Sequence, residues 1–175
     1  MITRYPDQRV AVLVDVQNLY YSAKNLFGSR VNFKNLLNLI SQDRKLVRAI
    51  AYVINTEDDS NKEFIDALRD SGFDIKEKMV QTFADGRKKG DWDVGIAMDA
   101  IRLGHKVDSI VLVSGDGDYR PVVSYLQQSH GCLVEVMAFR QTANKELSQE
   151  ADDFVDIEQY KKELLFRTKA SSTRK

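Results

Sequence analysis

The 175-residue sequence has one cysteine, two histidines and no net charge, with 26 basic residues against 26 acidic ones. A single thiol excludes a disulfide framework and a cysteine-based zinc site. Cys132 leads into the apolar run Leu133 to Phe139 with no cation or histidine adjacent to it, so a buried, inert thiol is expected. No stretch approaches the ~20 apolar residues needed to span a membrane. The first nine residues are polar and unlike a secretory leader, and a cytoplasmic protein is expected. Charge balance removes the global basic field typical of many nucleic-acid binders. It hides an asymmetry, because the last fifteen residues hold six bases and one acid, which leaves residues 1–160 at −5. A basic, flexible tail over 161–175 is therefore expected on an acidic body.

Other chemistries are missing as well. Gly115-Asp116-Gly117 is not a dinucleotide fingerprint, and there is no Gly-Lys-Ser/Thr phosphate loop. No serine or cysteine has a plausible base, so covalent catalysis is unsupported. His105 and His130 both precede strand-like runs, which places them at the amino edge of a parallel sheet.

What the sequence does contain is organised around Ile110 to Tyr119. Four apolar residues (Ile110 to Val113) read as a strand buried on both faces. Ser114-Gly115-Asp116-Gly117-Asp118 then turns the chain, and a helix follows. In open α/β sheets ligands bind beyond the carboxyl ends of the strands. A second apolar run, Val10 to Val14, ends in Asp15 and enters a helix. Further strands are expected over 46–54, 73–81 and 133–139, with 154–157 a closing fragment. Helices are expected between them, including one that starts at Asp91 or Asp93 and faces Val94, Ala97, Met98 and Ile101 inward. Strands alternating with helices predict a mostly parallel sheet in an α/β/α sandwich.

If the two acid-tipped strands are neighbours, Asp15, Asp116 and Asp118 converge, and Asp91 and Asp93 lie at the same edge. Such a cluster stays ionised only beside a cation. Oxygen donors without paired histidine or cysteine select Mg²⁺ or Mn²⁺. Metal sites of that kind activate water for attack on phosphorus. Taken singly, each of these acids is explained as a helix cap. Asn18 either hydrogen-bonds a metal-held water or phosphate, or caps the first helix. Ser114 either orients Asp116 or makes a local turn bond. Asp99 either supports the metal ligands or pairs with Arg102 or Arg120. Arg87, Lys88 and Lys89 form a glycine-flanked basic loop beside the acids, and Arg140 and Lys145 follow the last strand at the same edge; all five are candidate phosphate contacts. Trp92, Tyr119 and Tyr20 are candidates for base stacking, with internal packing favoured for Tyr20.

Three segments carry a resemblance: Val14-Asp-Val-Gln-Asn-Leu-Tyr20, Lys88-Lys-Gly-Asp-Trp-Asp-Val-Gly-Ile-Ala-Met-Asp-Ala100 and Val111-Leu-Val-Ser-Gly-Asp-Gly-Asp-Tyr-Arg-Pro121. In this order they resemble the signatures of the LabA-like NYN-domain family within the PIN-like nuclease superfamily, over about residues 9–157. The resemblance implies a PIN-like (Rossmann-like) sheet of order 3-2-1-4-5 in a domain over 1–160. It also implies a Mg²⁺- or Mn²⁺-dependent endoribonuclease with RNA as substrate. Its acidic positions fall on Asp15, Asp93, Asp116 and Asp118, with Asn18 alongside; Asp91 and Asp99 match motif positions of less settled role. No acid is missing. The competing reading is a non-catalytic regulatory module that binds RNA or protein and retains the acidic pocket. A small-molecule phosphatase ranks last, because Asp15-Val16-Gln17 lacks the second acid of that motif. A homodimer is compatible with the sequence, though no feature demands one.

Overall fold

The computed structural model describes residues 4–55, 61–82 and 88–166, with only the backbone described for 81, 82, 88 and 89. Six strands form the main sheet: β1 (Arg9–Asp15), β2 (Lys45–Asn55), β3 (Asp74–Met79), β4 (Ser109–Val113), β5 (Leu133–Ala138) and β6 (Asp153–Asp156). All are parallel, in the order β3-β2-β1-β4-β5-β6. The expected order of five holds, and the fragment at 154–157 supplies a sixth strand on the far edge. Phe154 and Val155 are only half-buried there, which is why their apolar signal is weak.

β1 is the central strand, and its residues from Val10 to Val14 are fully buried. Val10, Val12 and Val14 enter one core with α1 (Val16–Phe27), α2 (Phe33–Ser41) and α3 (Lys62–Asp70). Ala11 and Leu13 enter the other, with α4 (Asp93–Gly104), α5 (Arg120–His130) and α6 (Lys145–Glu150). Alternate residues of one strand thus hold both helical layers, which accounts for a continuous apolar run in place of a period of two. Val14 lies opposite Val113 and Asp15 opposite Tyr52. The strands bearing Asp15 and Asp116 are therefore adjacent.

α4 departs from its expected orientation. Ile96, Asp99, Ala100 and Leu103 face inward, while Val94 and Met98 are 74% and 61% exposed. Two apolar stripes run along this helix, so periodicity alone cannot choose between them. Asp99 decides the rotation. Its Oδ2 accepts the Tyr52 hydroxyl at 2.7 Å and the Lys76 ammonium at 2.5 Å, and Oδ1 accepts Arg102. Burial alone would raise the Asp99 pKa, but Lys76, Tyr52 and Arg102 hold the carboxyl below the ordinary range.

The chain stays packed beyond 160. Short α7 (Lys161–Leu164) buries Leu164, whose carbonyl accepts the Asn32 N–H at 2.7 Å, and the Phe166 N–H donates to Arg30 O at 2.9 Å. Residues 167–175 lie outside the described residues. Cys132 is buried as expected, and burial pushes its thiol up to about 11. The His105 and His130 rings meet at 3.6 Å between centres, tilted by 42°, at the ends of α4 and α5.

One charge lies in the middle of the sheet. Glu135 on β5 is 1% exposed and accepts Arg44 Nη1 at 2.5 Å, Ser109 Oγ at 2.7 Å and Arg4 Nη2 at 2.7 Å. Arg44 also donates to Ile40 O at the end of α2. Removing one partner strands a buried charge, which typically costs about 3–5 kcal/mol. Glu135→Gln is expected to lower the unfolding free energy by about 3 kcal/mol in urea denaturation. A loss under about 0.5 kcal/mol, the range of ordinary surface changes, would show that the network carries no stability.

Candidate metal centre

The site is assembled at the carboxyl edge by two turns and a helix start. Asp15 ends β1 and caps α1, its Oδ1 accepting the Asn18 N–H at 3.0 Å. β4 ends at Val113, and Asp116 then caps a single 3₁₀ turn, Gly117–Tyr119, by accepting the Asp118 N–H at 3.0 Å. Both turns are drawn together by one side chain, because the Gly115 N–H donates to Asn18 Oδ1 at 3.0 Å. Asp15, not Asn18, caps α1, and the Gly115 N–H takes one lone pair of Asn18 Oδ1. Asn18 fastens the two acid-bearing turns. Ser114 makes the local turn bond, accepting the Asp116 N–H at 3.2 Å, and its hydroxyl lies 3.5 Å from Asp15 Oδ2.

The loop after β5 closes over these turns. A Cβ on Gly117 would lie 2.6 Å from Asn144 Nδ2, and one on Gly115 would lie 3.0 Å from Ala143 Cα. A side chain at either position would push on that loop, which is held by the Asn144 N–H to Gly115 O at 2.8 Å.

Asp93, at the first position of α4, completes the cluster. One carboxylate oxygen from each of Asp93, Asp116 and Asp118 lies within 4.8 Å of the others. Three carboxylate oxygens gathered in this way are the donor chemistry that would hold one divalent cation such as Mg²⁺. Asp15 stands behind this trio and joins it through Tyr119, whose hydroxyl lies 3.2 Å from Asp93 Oδ1 and 3.4 Å from Asp15 Oδ2. A hydroxyl has one proton, so it can donate fully to only one of the two carboxylates at a time. Burial pushes the Asp15 and Asp93 pKa values up, and neighbouring carboxylates add to both rises. Burial and the same acids raise the Tyr119 hydroxyl well above its ordinary value, which keeps it protonated as a donor.

Several expected site residues lie elsewhere. Tyr119 is 1% exposed and cannot stack on a base; its ring fills the core under the site, and its hydroxyl role is one that sequence reading missed. Its place directly after Asp118 was the available signal. Trp92 is also engaged: Nε1 donates to Val53 O at 2.9 Å, and its ring meets Tyr52 edge-on. The Lys78 ammonium lies 5.8 Å from the Trp92 ring. Asp99 is held by Tyr52, Lys76 and Arg102, away from the trio; pairing with Arg102 is correct and Arg120 pairs instead with Glu146. Asp91 is half-buried, and its carbonyl accepts Lys78 Nζ at 3.0 Å. Arg140 is tied to Asp156 and lies over Phe154, whereas Lys145 is exposed on the first turn of α6. Arg87 is outside the described residues, and the Lys88 and Lys89 backbone pairs with Gln81–Thr82 in a two-stranded ribbon.

Raised carboxyl groups carry a definite sign. They cost stability above their folded pKa, and the cost disappears as pH falls below the ordinary carboxylate range. In chelator at neutral pH, Asp93→Asn is therefore expected to raise the thermal midpoint by a few degrees, with the gain vanishing at acid pH. Calorimetry of both proteins across pH checks this; a variant less stable at neutral pH would mean that the acids are held without strain.

Two proteins are similar to this chain, one in structure and sequence and one in sequence. Over 94% of this chain and 100% of its own, a crystal structure of a protein of unknown function from Vibrio parahaemolyticus superposes with a TM-score of 0.84 at 34% identity. The Low amplitude and bright protein LabA of Synechococcus elongatus is 26% identical over 159 residues, 85% of this chain and 83% of that protein. Residues 9–158 match the model of the NYN domain, a span that contains every strand among the described residues and all four clustered acids. The chain belongs to the NYN-domain family.

Proposed function

We propose that this protein is a divalent-metal-dependent ribonuclease that hydrolyses RNA phosphodiesters at the Asp93, Asp116 and Asp118 trio. The observation that carries this reading is the convergence of those three carboxylates, from two separate elements, at the carboxyl edge of the sheet. Among the described residues no salt bridge reaches Asp93, Asp116 or Asp118, and burial makes the charge of Asp93 costly. The donor set is all carboxylate oxygen, which suits Mg²⁺ or Mn²⁺. Membership of a PIN-like nuclease family supports the same conclusion.

In this reading Asp93, Asp116 and Asp118 hold the ion, with Asp15 as a further ligand or proton acceptor. The bound ion would supply acidity to an attacking water and neutralise phosphate charge. The water oxygen adds to phosphorus, the bond to one ester oxygen breaks with its electron pair, and that oxygen takes a proton from solvent. The proton lost by the water passes to a carboxylate, and the raised proton affinity of Asp15, which stands behind the trio, suits that task. Tyr119 keeps those two carboxylates at a fixed separation. Asn18 keeps the Asp15 and Asp116 turns in register. Lys145, Lys88, Lys89 and Arg87 are the cations proposed to meet the RNA backbone.

The test is cleavage of a mixed set of labelled RNAs with Mg²⁺, with Mn²⁺ and with chelator, using wild type and Asp116→Asn. Metal-dependent cutting lowered at least 100-fold in the variant is expected, the order lost with one electrostatic stabiliser. Equal cutting by both proteins, or none by either, would overturn the proposal; metal and RNA binding without cutting would favour the regulatory module.

A further inference from the structure

From Val16 to Gln42 the chain contains no aspartate or glutamate, although those residues make up 26 of the 175. The stretch instead contains Lys24, Arg30 and Lys34 and five asparagines. It folds as α1 and α2, and its outer surface exposes Gln17, Tyr21, Lys24, Asn25, Arg30, Lys34 and Asn38. Tyr21 is 51% exposed and meets the Tyr20 ring edge-on at 5.5 Å, and the Lys24 ammonium lies 5.7 Å from that ring. Among the described residues, no ion pair uses Lys24, Arg30 or Lys34. α7 lies beside this stretch, with Lys161 5.9 Å from the Phe27 ring and Glu163 exposed.

We propose that this acid-free face of α1 and α2 is a track for single-stranded nucleic acid leading to the acid trio, with Tyr21 as a base-stacking platform and Lys24, Arg30 and Lys34 as phosphate contacts. The direction of the track rests on the ribonuclease reading; the surface itself does not. Residues 1–160 carry −5, so the acid-free stretch of α1 and α2 offers a polyanion less repulsion than the acid-bearing segments around it. An exposed aromatic beside cations and neutral amides is the chemistry that holds unpaired bases, whose faces are hidden within a duplex. α1 begins at Asp15, and Tyr21 lies six residues on, ~9 Å along the helix axis. That is the length of about three stacked nucleotides at ~3.4 Å each. A strand crossing Tyr21 therefore reaches the acids within a few nucleotides. Stacking and phosphate contacts ignore the 2′-hydroxyl, so single-stranded RNA and DNA are expected to bind alike here.

The experiment is fluorescence anisotropy of a labelled 12-nucleotide RNA, its DNA counterpart and an RNA duplex, in chelator, with the full chain. Tyr21→Ala is expected to weaken single-strand binding about tenfold, and Tyr21→Phe to restore it. The double change Lys24→Ala and Lys34→Ala is expected to reduce the slope of log affinity against log salt by about 1.4. Lys106→Ala, an exposed lysine beyond the end of α4, should leave both unchanged. Unaltered binding by the Tyr21→Ala and double variants, or a duplex bound as tightly as the single strand, would overturn the track. Cleavage of the same RNA separates the two readings. Binding through this face without cleavage in any metal sinks hydrolysis alone, whereas cleavage indifferent to these variants sinks the track alone.

Discussion

Like charges have to be kept together at one edge of this sheet, and much of the surrounding structure exists to hold them. Asp15, Asp93, Asp116 and Asp118 would separate if their turns were free to relax. Asn18 ties the β1 and β4 turns to each other. Gly115 and Gly117 let the 139–144 loop lie close over them. Tyr119 holds Asp15 and Asp93 by a single hydroxyl from below. Each restraint comes from a different segment, so the site's geometry is a property of the whole carboxyl edge.

Charge elsewhere is treated in the opposite way. Asp99 and Glu135 are as buried as core residues, yet each is matched by cations and neutral donors at short distance. These two carboxylates set geometry: Asp99 fixes the rotation of α4, and Glu135 joins α2, β4 and β5. Among the described residues no salt bridge reaches the clustered acids at the edge. The contrast separates carboxylates that fold the chain from those available to an external cation.

Much of this was legible in the sequence because the relevant signals are local. Two apolar runs ending in acids, and the order of strands and helices, are enough to expect a parallel sheet and an acidic edge. The NYN-type segments fixed the neighbouring strands. What could not be read depended on partners far along the chain. The rotation of α4 is decided by Lys76 and Tyr52, and the burial of Tyr119 by packing under three turns. Trp92 looked free between two acids, but its partner is the Val53 carbonyl on β2. The sixth strand was obscured because an edge strand needs less apolar sequence than a central one.

The anchoring of residues 164–166 on the α1–α2 connection has a practical side. Leu164 and Phe166 bond to Asn32 and Arg30, whereas Arg4 near the other terminus bonds to Glu135 on β5. The two termini are therefore not equivalent attachment points. A bulky domain fused directly after Phe166 would sit beside the acid-free helices, and one fused directly before Arg4 would sit beside β5. Comparing the two fusions would show how far each neighbourhood tolerates being covered.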